Sequence, residues 1–270
     1  MNLRKQLLTN NDCYLRGRTI RPLGVMVHST GANNPRLSRY VAPNDGLLGE
    51  PSLRHWNQSG VGACPHAFIG RLADGSVDTY QVLPWTMRGW HCGTGTSGIS
   101  ANNTHISFEI CEDGLEDAGY FNAVYREAVE LTAMLCREYS LDPLADGVVI
   151  CHAEGYQRGI ASNHADVLHW FPRFGKSMDC FRADVAQVIK GESDLTEKQV
   201  RAIAREEYKK IEAERAARAA SVWAVPYIQQ AVDGGIMAES GDGSIARPGD
   251  YITREETATV AAALLRKMRA

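Results

Sequence analysis

The sequence has no apolar run approaching the roughly 20 residues that a membrane-spanning helix needs. Its first dozen residues mix Arg4 and Lys5 with polar side chains, a pattern unlike a secretory signal. Synthesis in a cytoplasm, with neither signal peptide nor membrane segment, is the expectation. Charge of one sign is also scarce, since 29 Lys and Arg stand against 32 Asp and Glu. A general nucleic-acid binder needs a strong basic excess, and the net charge here is −3. The seven cysteines, Cys13, Cys64, Cys92, Cys111, Cys136, Cys151 and Cys180, are odd in number and widely spaced. They include no Cys-x-x-Cys pair, which argues against a disulfide framework and against a structural zinc knuckle. Most read as small buried apolar side chains. The compact zinc signature His-Glu-x-x-His is absent too.

What is present is an alternation of strand-like and helix-like segments from about residue 23 to 188. Gly24-Val25-Met26-Val27-His28 is a short apolar run ending at Ser29-Thr30-Gly31, which predicts a buried strand with His28 at its C-terminal end. Ala67-Phe68-Ile69-Gly70 and Val77-Asp78-Thr79-Tyr80 flank an Asp74-Gly75 pair, a hairpin pattern. Residues 106–111 alternate as a half-buried strand. Residues 120–138 carry Phe121, Val124, Ala128, Leu131 and Leu135 at helical spacing. Gly147-Val148-Val149-Ile150-Cys151-His152 predicts another buried strand with a histidine at its end. The order fits the α/β class, a mixed central sheet flanked by helices, over residues 1–190.

Composition changes after Lys190. Within residues 191–220, Gly191-Glu192-Ser193-Asp194 is a polar break, and residues 197–220, dense in Glu, Lys, Arg and Ala, predict a solvated connecting helix that opens near Thr196. Residues 221–270 read as a small all-α helical hairpin. Trp223, Tyr227, Ile228 and Val232 share a helical face, Gly234-Gly235 ends that helix, and Thr253 with Glu256 forms a capping box for the next. About 50 residues barely sustain a core alone, so this module is expected to lean on something.

Three of the eight histidines stand where chemistry would want them. His28 and His152 each end a predicted strand, which places both at one edge of a sheet. Ser162-Asn163-His164-Ala165-Asp166-Val167-Leu168-His169-Trp170 supplies further donors. Two imidazoles and one more ligand leave a tetrahedral zinc with one position open for water. Glu109, near the end of its strand, could take or deliver a proton. Residue types and spacing reach a possible mononuclear metal hydrolase and no further.

Five segments in order resemble the amidase family shared by phage lytic amidases and peptidoglycan recognition proteins. They are Val25-Met26-Val27-His28-Ser29-Thr30-Gly31, Pro65-His66-Ala67-Phe68-Ile69, Gly89-Trp90-His91-Cys92-Gly93, Ser107-Phe108-Glu109-Ile110-Cys111-Glu112 and Cys151-His152. The resemblance covers roughly residues 20–185. It implies a peptidoglycan hydrolase that cuts between N-acetylmuramic acid and L-alanine, with one zinc ion held by His28, His152 and a third ligand. It also implies an acid/base role for Glu109 and a groove that includes His66, Trp90 and His91, with Trp85 and Trp170 as further candidates for an aromatic floor. Where the family usually has Lys-x-Asp-Pro-Gly, this chain has His164-Ala165-Asp166-Val167. With Asp166 as ligand, His164 falls on the lysine position and could donate to the oxyanion. With His164 as ligand, the site is three histidines and Asp166 orients one of them. The first assignment gives both residues a family role. His169 is a weaker alternative ligand.

Residues 221–270 resemble a single S-layer homology repeat through Trp223-Ala224, Gly235-Ile236 and Ile252-Thr253-Arg254-Glu255-Glu256. That resemblance implies binding to a secondary cell-wall polymer, with oligomerisation through the module as an option. The combined expectation is a phage or prophage endolysin that acts on Gram-positive walls after release. A non-catalytic peptidoglycan-binding protein and a muropeptide-recycling amidase are the alternatives.

Overall fold

A computed structural model describes residues 1–193, 205–211 and 225–234. The chain separates into two compact units, Met1–Asp194 and Leu195–Ala270. In the first, six strands form one mixed sheet: β1 Leu3–Lys5, β2 Gly24–Ser29, β3 Ala67–Arg71, β4 Val77–Gln81, β5 His105–Ile110 and β6 Val149–Cys151. Their spatial order is β1-β4-β3-β5-β2-β6, parallel throughout except for the β3–β4 hairpin. Four α-helices of this unit are α1 Asp12–Arg16, α2 Ala118–Glu138, α3 His152–Gln157 and α4 Met178–Ser193. The α/β expectation holds.

Side chains along a strand point to alternate faces, and that period decides which residues meet. Val25 and Val27 of β2, Ala67 and Ile69 of β3, and Ile106, Phe108 and Ile110 of β5 belong to one core with α2. That helix starts where the Asp117 side chain accepts from the Tyr120 N–H, and its buried stripe includes Phe121, Val124, Ala128, Leu131 and Leu135. Met26 and Phe68 face the other way, into two smaller clusters. His28 and Glu109 share that second face. They are register partners across β2 and β5, and Glu109 is also opposite Phe68 of β3.

Gly24 begins β2 because nothing larger fits. A Cβ there would stand 2.4 Å from the Val148 carbonyl oxygen and 2.6 Å from the His105 ring. That close approach lets β2 and β6 pair, with Val25 bonding the Val148 carbonyl at 2.8 Å.

Two expectations need correction, and one strand was not expected. His152 does not end a strand: β6 stops at Cys151, and His152 is the first residue of α3. The polar break expected at residues 191–194 does not interrupt α4, which runs through Gly191 to Ser193. β1 had no visible signal, being three exposed residues at a sheet edge. Residues 205–211 are helical, and a helix Val225–Asp233 stops before Gly234. The remainder of the expected connecting helix, Trp223, Gly235 and the Thr253–Glu256 capping box lie outside the described residues. No helix among the described residues is long and apolar enough to cross a membrane.

Candidate metal centre and active site

At the C-terminal end of β2 the chain brings together His28, His152 and Asp166, all buried. His28 Nδ1 stands 3.0 Å from Asp166 Oδ2 and 3.1 Å from His152 Nδ1. His152 Nδ1 is 3.6 Å from Asp166 Oδ1. One donor atom from each residue lies within 4.8 Å of the others. Among the described residues this is the one group of three or more His, Cys, Asp and Glu side chains so arranged. Asp166, not His164, completes it.

The rear nitrogens of both rings are occupied. His28 Nε2 is 2.9 Å from His91 Nδ1, and His152 Nε2 is 3.3 Å from Ser162 Oγ. Ser162 in turn donates to the Cys92 carbonyl at 3.1 Å. A proton on each Nε2 satisfies these contacts and would leave both Nδ1 atoms free to act as ligands. Asn102 builds the segment that makes this possible. Its Oδ1 accepts from the His91 and Cys92 N–H groups at 2.7 and 3.2 Å, and its Nδ2 donates to the Gly93 carbonyl at 2.8 Å.

Electrostatics divide the histidines. Burial works against a charged His28, but the bond its protonated Nδ1 donates to Asp166 and the charges of Glu109 and Asp166 outweigh it and raise its pKa. Burial likewise disfavours the Asp166 carboxylate, yet His28 and His152 hold its pKa below the usual range. His152 is pushed down to about 4, chiefly by burial and then by the His28 charge. His91 is driven well below its ordinary value by burial and by the surrounding histidines, so it stays neutral. Burial lifts Glu109 to about 8, with Asp166 and Glu112 adding to the rise and His28 opposing it. Its Oε2 is buried with no hydrogen-bond partner.

The other expected site residues sit as follows. Trp90 is 40% exposed, with the Arg88 guanidinium 5.3 Å from its ring centre. His164 is exposed, its ring centre 4.7 Å from that of His152. His66 offers a substrate no surface. It is fully buried, with Nδ1 accepting from the Ser107 N–H at 3.0 Å and Nε2 bonded to the Met87 carbonyl at 2.7 Å. Trp170 is also fully buried, packed on Phe121, and belongs to the core rather than to a groove floor. His169 bonds Glu112 at 2.9 Å and does not belong to the His28–His152–Asp166 group. Glu112 also accepts from Ser29 Oγ at 2.6 Å and the Gly31 N–H at 3.1 Å, anchoring the turn after His28.

A family profile described as N-acetylmuramoyl-L-alanine amidase matches residues 18–172, more than half the chain. The chain belongs to the N-acetylmuramoyl-L-alanine amidase family. Several solved structures are similar to it at low identity. PlyL is 20% identical, with 68% of this chain and 97% of that chain covered at a TM-score of 0.44. The catalytic domain of XlyA is 21% identical over 68% of this chain and 99% of its own, at 0.44. The Staphylococcus aureus hydrolase AmiA in complex with its ligand is 18% identical over 70% and 82%, at 0.47. No curated protein matches the chain.

The matched stretch of this amidase-family chain contains His28, Glu109, His152 and Asp166. Asn102 and Ser162, which support the two histidines from behind, were not singled out in the sequence. No local pattern marks them: Asn102 acts on the backbone of residues 91–93 and Ser162 on the His152 ring, each across a stretch of irregular chain.

Proposed function

We propose that this chain is a zinc-dependent N-acetylmuramoyl-L-alanine amidase, cleaving the amide between N-acetylmuramic acid and L-alanine of the stem peptide. One observation carries the reading: the converging Nδ1 atoms of His28 and His152 beside the Asp166 carboxylate. With both Nδ1 atoms unprotonated, as zinc ligation requires, the 3.1 Å between them would be repulsive, and a cation among these three donors would remove that repulsion. Nitrogen and carboxylate donors with their rear contacts filled suit zinc. Zinc held by His28, His152 and Asp166 would supply Lewis acidity toward water and the scissile carbonyl.

The chain's own groups provide the rest. His91 and Ser162 hold the ligand rings in the required tautomer. Glu109 receives a proton at its unpartnered Oε2 and delivers it to the departing alanine nitrogen, a task suited to a carboxyl group poised near neutral pH. His164, exposed beside His152, donates to the oxygen that gains charge. Residues 221–270 anchor the enzyme to a wall polymer, as the Ile252-Thr253-Arg254-Glu255-Glu256 motif suggests, and the natural role is lysis of Gram-positive walls by a phage or prophage enzyme. Such an anchor has no use in recycling soluble muropeptides.

The test is digestion of purified Gram-positive walls by wild type, by His152→Ala, and by wild type with a chelator. New L-alanine amino termini without new reducing ends, lost in the other two samples, are expected. Wall binding with no new termini in any sample would mean that the chain binds peptidoglycan without cutting it.

A further inference from the structure

One residue before His91, the chain borders a cavity of about 390 Å³ whose lining includes Arg16, Arg18, Arg88, Trp90, Cys13 and Gly62. Three arginines meet there, Arg16 and Arg18 from one segment and Arg88 from another far along the chain. Arg16 is the last residue of α1, and the left-handed Gly17 (φ 61°) turns the chain so that Arg18 follows it to the same cavity. Arg88 is tied to Arg18 by its N–H on the Arg18 carbonyl at 2.7 Å. The Trp90 and Cys64 backbones bond each other twice at 3.1 Å, which fixes the aromatic wall.

Among the described residues, none of these three guanidinium groups meets a carboxylate. Arg88 bonds the neutral Asn103 side chain at 2.6 Å, and Asp12 on α1 accepts from the Gly60 N–H instead of turning to Arg16. In a chain of net charge −3, three cations have been gathered without a counter-charge. Guanidinium groups recognise planar or tetrahedral oxyanions through paired hydrogen bonds, and a few hundred Å³ suffices for such a group with part of its carrier. The cavity is next to the reaction centre through a single step. Trp90 precedes His91, and His91 contacts His28 at 2.9 Å.

We propose that this arginine cavity is an oxyanion subsite, taking a carboxylate or phosphodiester of the cell-wall polymer and holding the polymer beside the metal centre. Arg16 and Arg18 supply the exposed charge, Arg88 braces Trp90, and Trp90 packs on the carrier of the anion. The idea rests on the amidase reading for its choice of ligand, while its evidence is the cavity itself.

The experiment compares the full chain with Arg16→Glu/Arg18→Glu, and with Arg126→Glu/Arg173→Glu as a control of equal charge change away from the cavity. Both pairs are exposed. Each is assayed by sedimentation with intact walls, with walls stripped of phosphate polymers, and with walls whose carboxyls are amidated. Hydrolysis of soluble muropeptide is followed in parallel. Charge reversal in the cavity should weaken wall binding about tenfold or more, and the control pair should not. A defect that vanishes on phosphate-stripped walls identifies the phosphodiester, and one that vanishes on amidated walls, with a raised KM on muropeptide, identifies the carboxylate. Equal binding by the cavity variant and the parent on every wall would overturn the subsite. Failure of the parent to hydrolyse walls, with the cavity defect intact, would instead overturn the amidase reading.

Discussion

His91 makes one hydrogen bond that matters, to the rear nitrogen of His28. Removing it lets His28 choose its other tautomer and swing away from the cluster. His91→Ala should therefore weaken zinc binding by about 10–100-fold, measured by competition with a chromophoric chelator. An unchanged affinity would show that His28 is held by its strand alone. In the proposed mechanism Glu109 acts on protons rather than on a metal, so the expected split is different. Glu109→Gln should lower turnover by roughly 10²–10⁴-fold with zinc content near that of the parent. His66 reports on stability. Burial pushes its pKa down to about 4 from an ordinary 6.5, so the unfolded chain binds the extra proton between those values. Its contribution is complete above pH 6.5 and is lost as the pH falls towards 4, a span of about 3 kcal/mol. Urea unfolding of the chelated protein at pH 7 and 4.5 should show a smaller pH difference in His66→Gln than in the parent.

At the scale of elements, the metal group depends on β2 lying between β5 and β6. β2 delivers His28, β5 sets Glu109 in register with it, and β6 leads directly into His152. α3 is secured where Glu154 accepts from the Cys151 N–H at 3.0 Å and receives Arg182 of α4 at 3.1 Å. Gly24 is the tightest point of this arrangement. Gly24→Ala presses a methyl group onto the Val148 carbonyl and should destabilise the fold by about 1–3 kcal/mol, measurable as a shift in the urea midpoint. Zinc affinity should fall with it, because β6 must move and His152 moves too. The apolar run of β2 and the alternation of β5 made the two strands readable in advance, and their register then puts His28 and Glu109 on one face. β1 was not readable, because a short exposed edge strand carries no such alternation. The start of α3 was missed for a related reason: an apolar run leading into a histidine looks the same whether the strand continues or a helix begins.

For the whole molecule, the first compact unit ends at Asp194 and contains every residue of the proposed centre. A chain cut after Asp194 should keep the thermal unfolding midpoint of its unit and its zinc affinity, as calorimetry and chelator competition would show. Its wall binding should drop relative to the full chain if residues 221–270 serve as an anchor, and retention of full binding would defeat that role. By itself, the sequence determined the sheet-and-helix class, the family and the candidates His28, Glu109 and His152, because each is written into a local pattern of a few adjacent residues. Only the tertiary structure shows that Asp166, and not His164, stands with His28 and His152. The two are two residues apart in one irregular loop, and no periodicity says which side chain turns inward. The same holds for His91 behind His28 and for Arg16, Arg18 and Arg88 around one cavity. Such groups meet because distant backbones pack together, and the chain's local order does not encode the distance between them.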